Sequence, residues 1–201
     1  MTEFTDAAPA ESLERAATAL KEHGFGVEIL DDAAAARDRV GELIPDGASV
    51  FTSASETTRL SGIEEDLNGR RYEAVKPRVL AMDRATRADD IRRLVATPDF
   101  VVGSVAAVTE TGSLVVASGS GSQIPAYGGG AGRAIWVVGA QKVVPDMATA
   151  LRRLEEHALP LESARAQAVY GQPSAINRLL VLNAEAPGRV TVLLLREAIG
   201  F

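Results

Sequence analysis

The sequence predicts an α/β fold, a mostly parallel sheet flanked by helices with an antiparallel C-terminal hairpin. Three observations carry this expectation. The first half alternates short apolar runs with amphipathic segments at short joints, an order that calls for parallel strands and helical crossovers. The run AIWVVG, Ala134 to Gly139, is apolar at nearly every position, as a strand buried on both faces must be. Two further apolar runs, LLVLN (Leu179 to Asn183) and RVTVLLLRE (Arg189 to Glu197), flank the turn Pro187-Gly188 and read as a closing hairpin.

About the first ten residues are expected to form a disordered tail, and residues 11–201 a single domain. Leu13, Ala16, Ala17 and Leu20 follow the i, i+3, i+4, i+7 pattern of one helical face, with Gly24 as its stop. Val27 to Leu30 is a short strand. Asp31-Asp32 can cap the alanine-rich helix that runs toward Leu43 and ends before Pro45 and Asp46-Gly47. Ala48 to Ser53 is the next strand, and a third helix starting at Ser55, Thr57 or Thr58 runs through Leu67. RVLAM, Arg78 to Met82, is expected as a strand, with Asp83 capping the helix that holds Ile91, Leu94 and Val95. Asp99 to Gly119 is one long β-like stretch, broken at Glu110-Thr111-Gly112 by a tight hairpin or a bulged bend. A glycine-rich loop reaches Gly132, and Pro145-Asp146 opens a helix with Met147, Ala150, Leu151 and Leu154 on one face.

Composition narrows function. With 201 residues, 46% hydrophobic and 24% charged, the chain can bury a sizeable core. A net charge of −6 leaves no basic surplus for nucleic acid, so Arg70-Arg71, Arg92-Arg93 and Arg152-Arg153 read as wet helix faces. The absence of cysteine removes disulfides, thiolate nucleophiles and iron–sulfur ligation by this chain. Two histidines, His23 and His157, cannot build a three-histidine metal site, and no D-x-D-x-D-G loop offers a carboxylate one. No metal and no intrinsic cofactor is expected. No apolar window spans a membrane and the N-terminus has no signal-peptide layout, so a cytoplasmic location is the default.

The chemistry-bearing candidates lie in the middle of the chain. Glu110 sits between β-leaning segments among small and apolar residues. Partial desolvation there would raise its pKa and suit it to proton transfer or acyl attack; a solvated hairpin tip is the other reading. The loop GSGSQIPAYGGGAGR could bring backbone N–H groups to a phosphate, although it completes neither G-x-x-x-x-G-K-[ST] nor G-x-G-x-x-G. Lys142 follows AIWVVG, where open α/β sheets hold ligands, or is a solvated loop lysine. Tyr170 and Arg178 could line a cleft. His23 and His157 read as exposed residues at helix C-termini, and no serine-hydrolase elbow is present.

The segments VVGSVAAVTETGSLVVASGSG, AIWVVGAQKVVPDMATALRRL and GRVTVLLLREAIGF, with GASVFTSASETTRLSGI upstream, resemble the LUD domain family (lactate utilisation, LutC/YkgG-like) over residues 45 to 201. That resemblance implies the fold group of sugar-phosphate isomerases, folate cycloligases and CoA transferases (NagB/RpiA/CoA transferase-like). Glu110-Thr111-Gly112 echoes the E-x-G of a nucleophilic glutamate in class I CoA transferases, which makes Glu110 the candidate catalytic residue. Candidate ligand-binding residues are Ser55 and Thr57 of the S-x-T segment, Thr111, Gly112, Gly119, Gly121, Gln123 and Lys142. The cysteine cluster carried by many members is missing. The implied function is an accessory component of lactate oxidation that binds a small acid or iron–sulfur partner subunits. The alternatives are a stand-alone enzyme or binder of the isomerase/CoA-transferase type using Glu110, or a ligand-binding module. A homo-oligomer is a further expectation.

Overall fold

The computed structural model describes residues 4–201. Helix α1 (Ala10–Glu22) leads into β1 (Gly26–Leu30). Helix α2 (Ala33–Leu43) follows, with the Asp32 carboxylate accepting from Ala35 N at 2.9 Å as its N-cap. Then come β2 (Ser49–Thr52), α3 (Glu56–Leu60), α4 (Ile63–Leu67), β3 (Glu73–Ala74), α5 (Val75–Leu80), α6 (Ala88–Ala96) and β4 (Phe100–Gly103). The middle and end hold β5 (Ala107–Thr109), β6 (Leu114–Ser118), β7 (Arg133–Val138), β8 (Val143–Val144), α7 (Met147–Arg153), α8 (Leu159–Tyr170), β9 (Arg178–Leu182) and β10 (Val190–Leu195).

Six strands form one sheet in the order β1-β10-β7-β4-β2-β3, and every neighbouring pair is parallel. Alternation along β7 explains why its sequence is apolar throughout. Ala134, Trp136 and Val138 join the core under α1 and α5, while Ile135 and Val137 join the core under α2 and α4. A second, four-stranded sheet has the order β8-β5-β6-β9; β5 runs parallel to β8, and β6 is antiparallel to both β5 and β9. The expected break at residues 110–112 is the turn of the β5–β6 hairpin.

Four local expectations change. The RVLAM segment is helical rather than a strand: Val75 and Val79, four apart, are the buried residues of α5, while Leu80 points to solvent. Pro77 lies in its first helical turn, where a missing N–H costs little. The third helix is two short ones, because Gly62 at φ +77 interrupts it beneath the Arg37 guanidinium.

The long β-like stretch breaks a second time at residues 104–106, where the chain leaves the first sheet for the second.

The closing hairpin does not form. β9 pairs with β6 in the small sheet, and β10 inserts between β1 and β7 in the large one. VTVLLL is apolar on both faces, so only the interior of a doubly covered sheet buries it fully. Of the expected tail, residues 1–3 lie outside the described residues. Phe4 is 8% exposed and packs with Ala107, Val115, Val144 and Ala150, so the segment before α1 lies on the small sheet.

Candidate functional site

The carboxyl ends of β2, β4 and β7 meet one end of the small sheet, and polar side chains collect there. β7 runs into the turn Ala140–Lys142, which hands the chain directly to β8. That turn places Lys142 in the interior at 2% exposure. Its Nζ donates to Thr57 Oγ1 at 2.9 Å and to Ser104 Oγ at 3.0 Å. Thr57 belongs to α3, set by the Ser55 cap just after β2, and Ser104 immediately follows β4.

Arg153, at the end of α7, is also fully buried. It donates through Nε to Gln141 O at 3.1 Å and through Nη1 to Ala106 O at 2.5 Å, and its Nη2 is buried without a partner among the described residues. Two basic side chains are therefore buried in one region with no carboxylate paired to either among the described residues. Burial, then the Arg153 charge, pushes the Lys142 amine down to about 7. Burial pushes Arg153 down to about 10.

Two further features frame this centre. Ser53 and Tyr127 share a buried hydrogen bond of 2.5 Å between their hydroxyls, beside Gly103. Tyr127 rests on Trp136 with ring centroids 4.0 Å apart, and desolvation raises its pKa. The segment Ile199-Gly200 closes over Thr57. The Gln141 side-chain amide donates to Ile199 O and Gly200 O, both at 2.9 Å, and accepts from Ile199 N at 3.2 Å. Gly200 has φ +71, and a Cβ there would overlap Thr57.

A match to the LUD domain family covers residues 13–195. The chain belongs to the LUD domain family. No curated protein matches it at a significant level. A crystal structure of a DUF162 family protein from Deinococcus radiodurans is similar in fold, with a TM-score of 0.58 at 14% identity. The alignment covers 94% of this chain and 99% of that one.

In this LUD domain the expected site residues divide into two groups. Thr57 and Lys142 meet as described, Ser55 only caps the helix that carries Thr57, and Lys142 is a dry residue rather than a solvated loop lysine. Gly119, Gly121 and Gln123 lie at the same end of the small sheet. Ala107 faces Val115 and Ser118 faces Arg178, so the end of β6 is level with the chain entering β5. Ser118 Oγ accepts from Gly121 N at 2.8 Å and donates to Gln123 Oε1 at 3.0 Å, which shapes the loop.

Glu110, Thr111 and Gly112 lie at the other end of β5, about 10 Å along the strand from Ala107. Glu110 is 19% exposed and accepts a two-pronged pair from Arg15 of α1, at 2.6 and 3.0 Å. That hydrogen bonding holds its carboxyl below the usual carboxylate range, the reverse of the expected rise. Gly112, at φ +82, lies against Ala19 and His23, where a Cβ would clash; the small residues of TETG let the hairpin rest on α1. Thr111 Oγ1 lies 2.9 Å from Thr109 Oγ1 within the turn.

We expect Glu110→Gln to lower the melting temperature by no more than about 2 °C and to leave ligand binding unchanged, because partly exposed pairs contribute little. Loss of binding in that variant would return Glu110 to the site.

The histidines also differ from expectation. His23 caps α1 but is half-buried, its Nδ1 3.0 Å from Gly112 O. His157 lies midway along a continuous helical run, tilted against Phe4 with ring centroids 6.1 Å apart. Ser53, Ser104, Tyr127, Gln141 and Arg153 had no sequence signal beyond residue type. An arginine-arginine pair in a helix reads as a wet face, yet Arg153 points inward while Arg152 lies near the Phe4 ring.

A groove of about 350 Å³ elsewhere on the surface, between α2 and α4, has its two arginines already paired, Arg37 with Asp66 and Arg71 with Asp46. Among the described residues no group of three or more His, Asp or Glu could hold a metal ion, and no helix is long and apolar enough to cross a membrane.

Proposed function

We propose that this LUD domain is the small-acid-binding component of lactate utilisation, with the acid held at the Lys142 centre. The observation that carries this reading is the buried pair of basic side chains, Lys142 and Arg153, with no acidic partner among the described residues. A buried cation without an anion is costly, and a bound carboxylate relieves that cost. A 2-hydroxy acid such as L-lactate offers the carboxylate for these cations and a hydroxyl for Thr57 and Ser104. Gly119, Gly121 and Gln123 form the adjoining wall. The family is known from lactate-utilisation proteins. The 201 residues contain no cysteine, so a thiolate-held iron–sulfur centre that receives the electrons belongs to partner subunits.

Calorimetric titration with L-lactate tests the reading. Binding is expected below about pH 7 and is lost in Lys142→Met. Affinity falls about tenfold for each pH unit above about 7, because the ammonium form is the one that pairs with the carboxylate. The other titratable groups facing Lys142 do not produce this slope. Arg153 on α7 stays charged to about 10, and His157, held below its usual value by burial and by both cations, is already neutral. Absence of heat with both lactate and pyruvate would remove the proposal.

A further inference from the structure

We infer that the Lys142 amine forms a reversible imine with the carbonyl of a 2-oxo acid, an inference that rests on the small-acid reading of the same centre. The two hydrogen bonds of Nζ fit a neutral amine. Two N–H groups meet two hydroxyl oxygens, Thr57 Oγ1 and Ser104 Oγ, and the lone pair is left over. Thr57 Oγ1 donates onward to Ile199 O at 3.3 Å, so it is free to accept from Lys142. An ammonium group would carry a third N–H, and no carboxylate among the described residues is paired with it. The neighbouring Arg153 charge favours the neutral form, one of the arrangements that makes a lysine nucleophilic.

The step balances within the site. The Nζ lone pair adds to the ketone carbon, and the carbonyl oxygen takes a proton, giving a carbinolamine. The C–O bond then breaks, the oxygen leaves as water, and the C=N bond forms. The Ser104 hydroxyl, on the half-buried side of Nζ, is placed to pass the proton between nitrogen and oxygen. Arg153, whose Nη2 has no partner among the described residues, is the donor for the acid's carboxylate. The oxidation product of a 2-hydroxy acid is a 2-oxo acid, so imine formation would retain product where substrate binds.

The chain has three lysines, Lys21, Lys76 and Lys142, which makes the test clean. Lys21 is exposed on α1, and Lys76 is paired with Glu64. The full chain is incubated with pyruvate and cyanoborohydride, digested and mapped by mass spectrometry, with L-lactate titrations run in parallel. The expected result is a carboxyethyl adduct on Lys142 alone, saturating with pyruvate, suppressed by lactate and absent in Lys142→Arg. Ser104→Ala, which leaves the amine in place, is expected to slow labelling at least tenfold. Labelling spread over Lys21 and Lys76 as much as Lys142 would overturn the inference. So would lactate binding with no adduct, which leaves the small-acid reading standing. Neither binding nor adduct would overturn both.

Discussion

Lys142→Met is expected to stabilise the protein by roughly 2–3 kcal/mol at pH 7 and below. The fall of the amine from 10.5 to about 7 corresponds to on the order of 4–5 kcal/mol of burial penalty. Removing the amine also removes its bonds to Thr57 and Ser104, each contributing about 1 kcal/mol. The remainder is the net gain. The pH dependence identifies the cause. Between about 7 and 10.5 the unfolded chain binds the proton that the folded chain has released, so wild-type stability rises with pH in that window. Below 7 both states hold the proton and the full penalty remains. The variant lacks this rise. Urea unfolding at about pH 6, 7.5 and 9 measures it, and a variant no more stable than wild type, with the same pH slope, would contradict a buried, unpaired Lys142.

Gly103→Ala has the largest expected destabilisation, about 3–5 kcal/mol. Gly103 ends β4 with the Tyr127 and Ser53 hydroxyls where its Cβ would stand. A methyl group there either separates the buried hydroxyl pair or shifts Tyr127 off Trp136. Both outcomes leave a polar group dry and unpaired in the core, beside an overpacked strand end. Tyr127→Phe removes only one hydroxyl and leaves Ser53 unpaired, for about 1–2 kcal/mol. Chemical denaturation ranks the two. An alanine variant no worse than Tyr127→Phe would mean that β4 yields easily at this point. Because Ser104 is the next residue, Gly103→Ala is also expected to weaken lactate binding, whereas Tyr127→Phe leaves Ser104 in place.

Much of the fold is legible in short windows. Leu13, Ala16, Ala17 and Leu20 mark the buried face of α1, and all are core residues. AIWVVG reads as interior strand and is. The stretch 78–82 misleads because a short apolar run reads equally well as a strand or as a helix with one exposed leucine, Leu80. The closing hairpin misleads for a different reason. Pro187-Gly188 is a proper turn, but a turn reverses the chain without choosing which sheet the next strand enters.

At the site, Lys142 and Thr57 are legible from their places after strands. Glu110 illustrates the limit. Its small neighbours look like a pocket wall, and in the structure they are the surface on which α1 lies, with Arg15 supplied from 95 residues away.

By itself the sequence determined the class of the fold, because apolar period and strand–helix alternation are local properties that each segment carries. It also determined what this chain cannot do with cysteine, and it put a lysine at the carboxyl end of a central strand. Only the tertiary structure decided that this lysine is dry. Burial depends on what covers a group, and Lys142 is enclosed by Thr57, 85 residues away, and by Ser104, 38 residues away. The cost of charge in that enclosure comes from desolvation, a property of the assembled surroundings that no residue possesses alone.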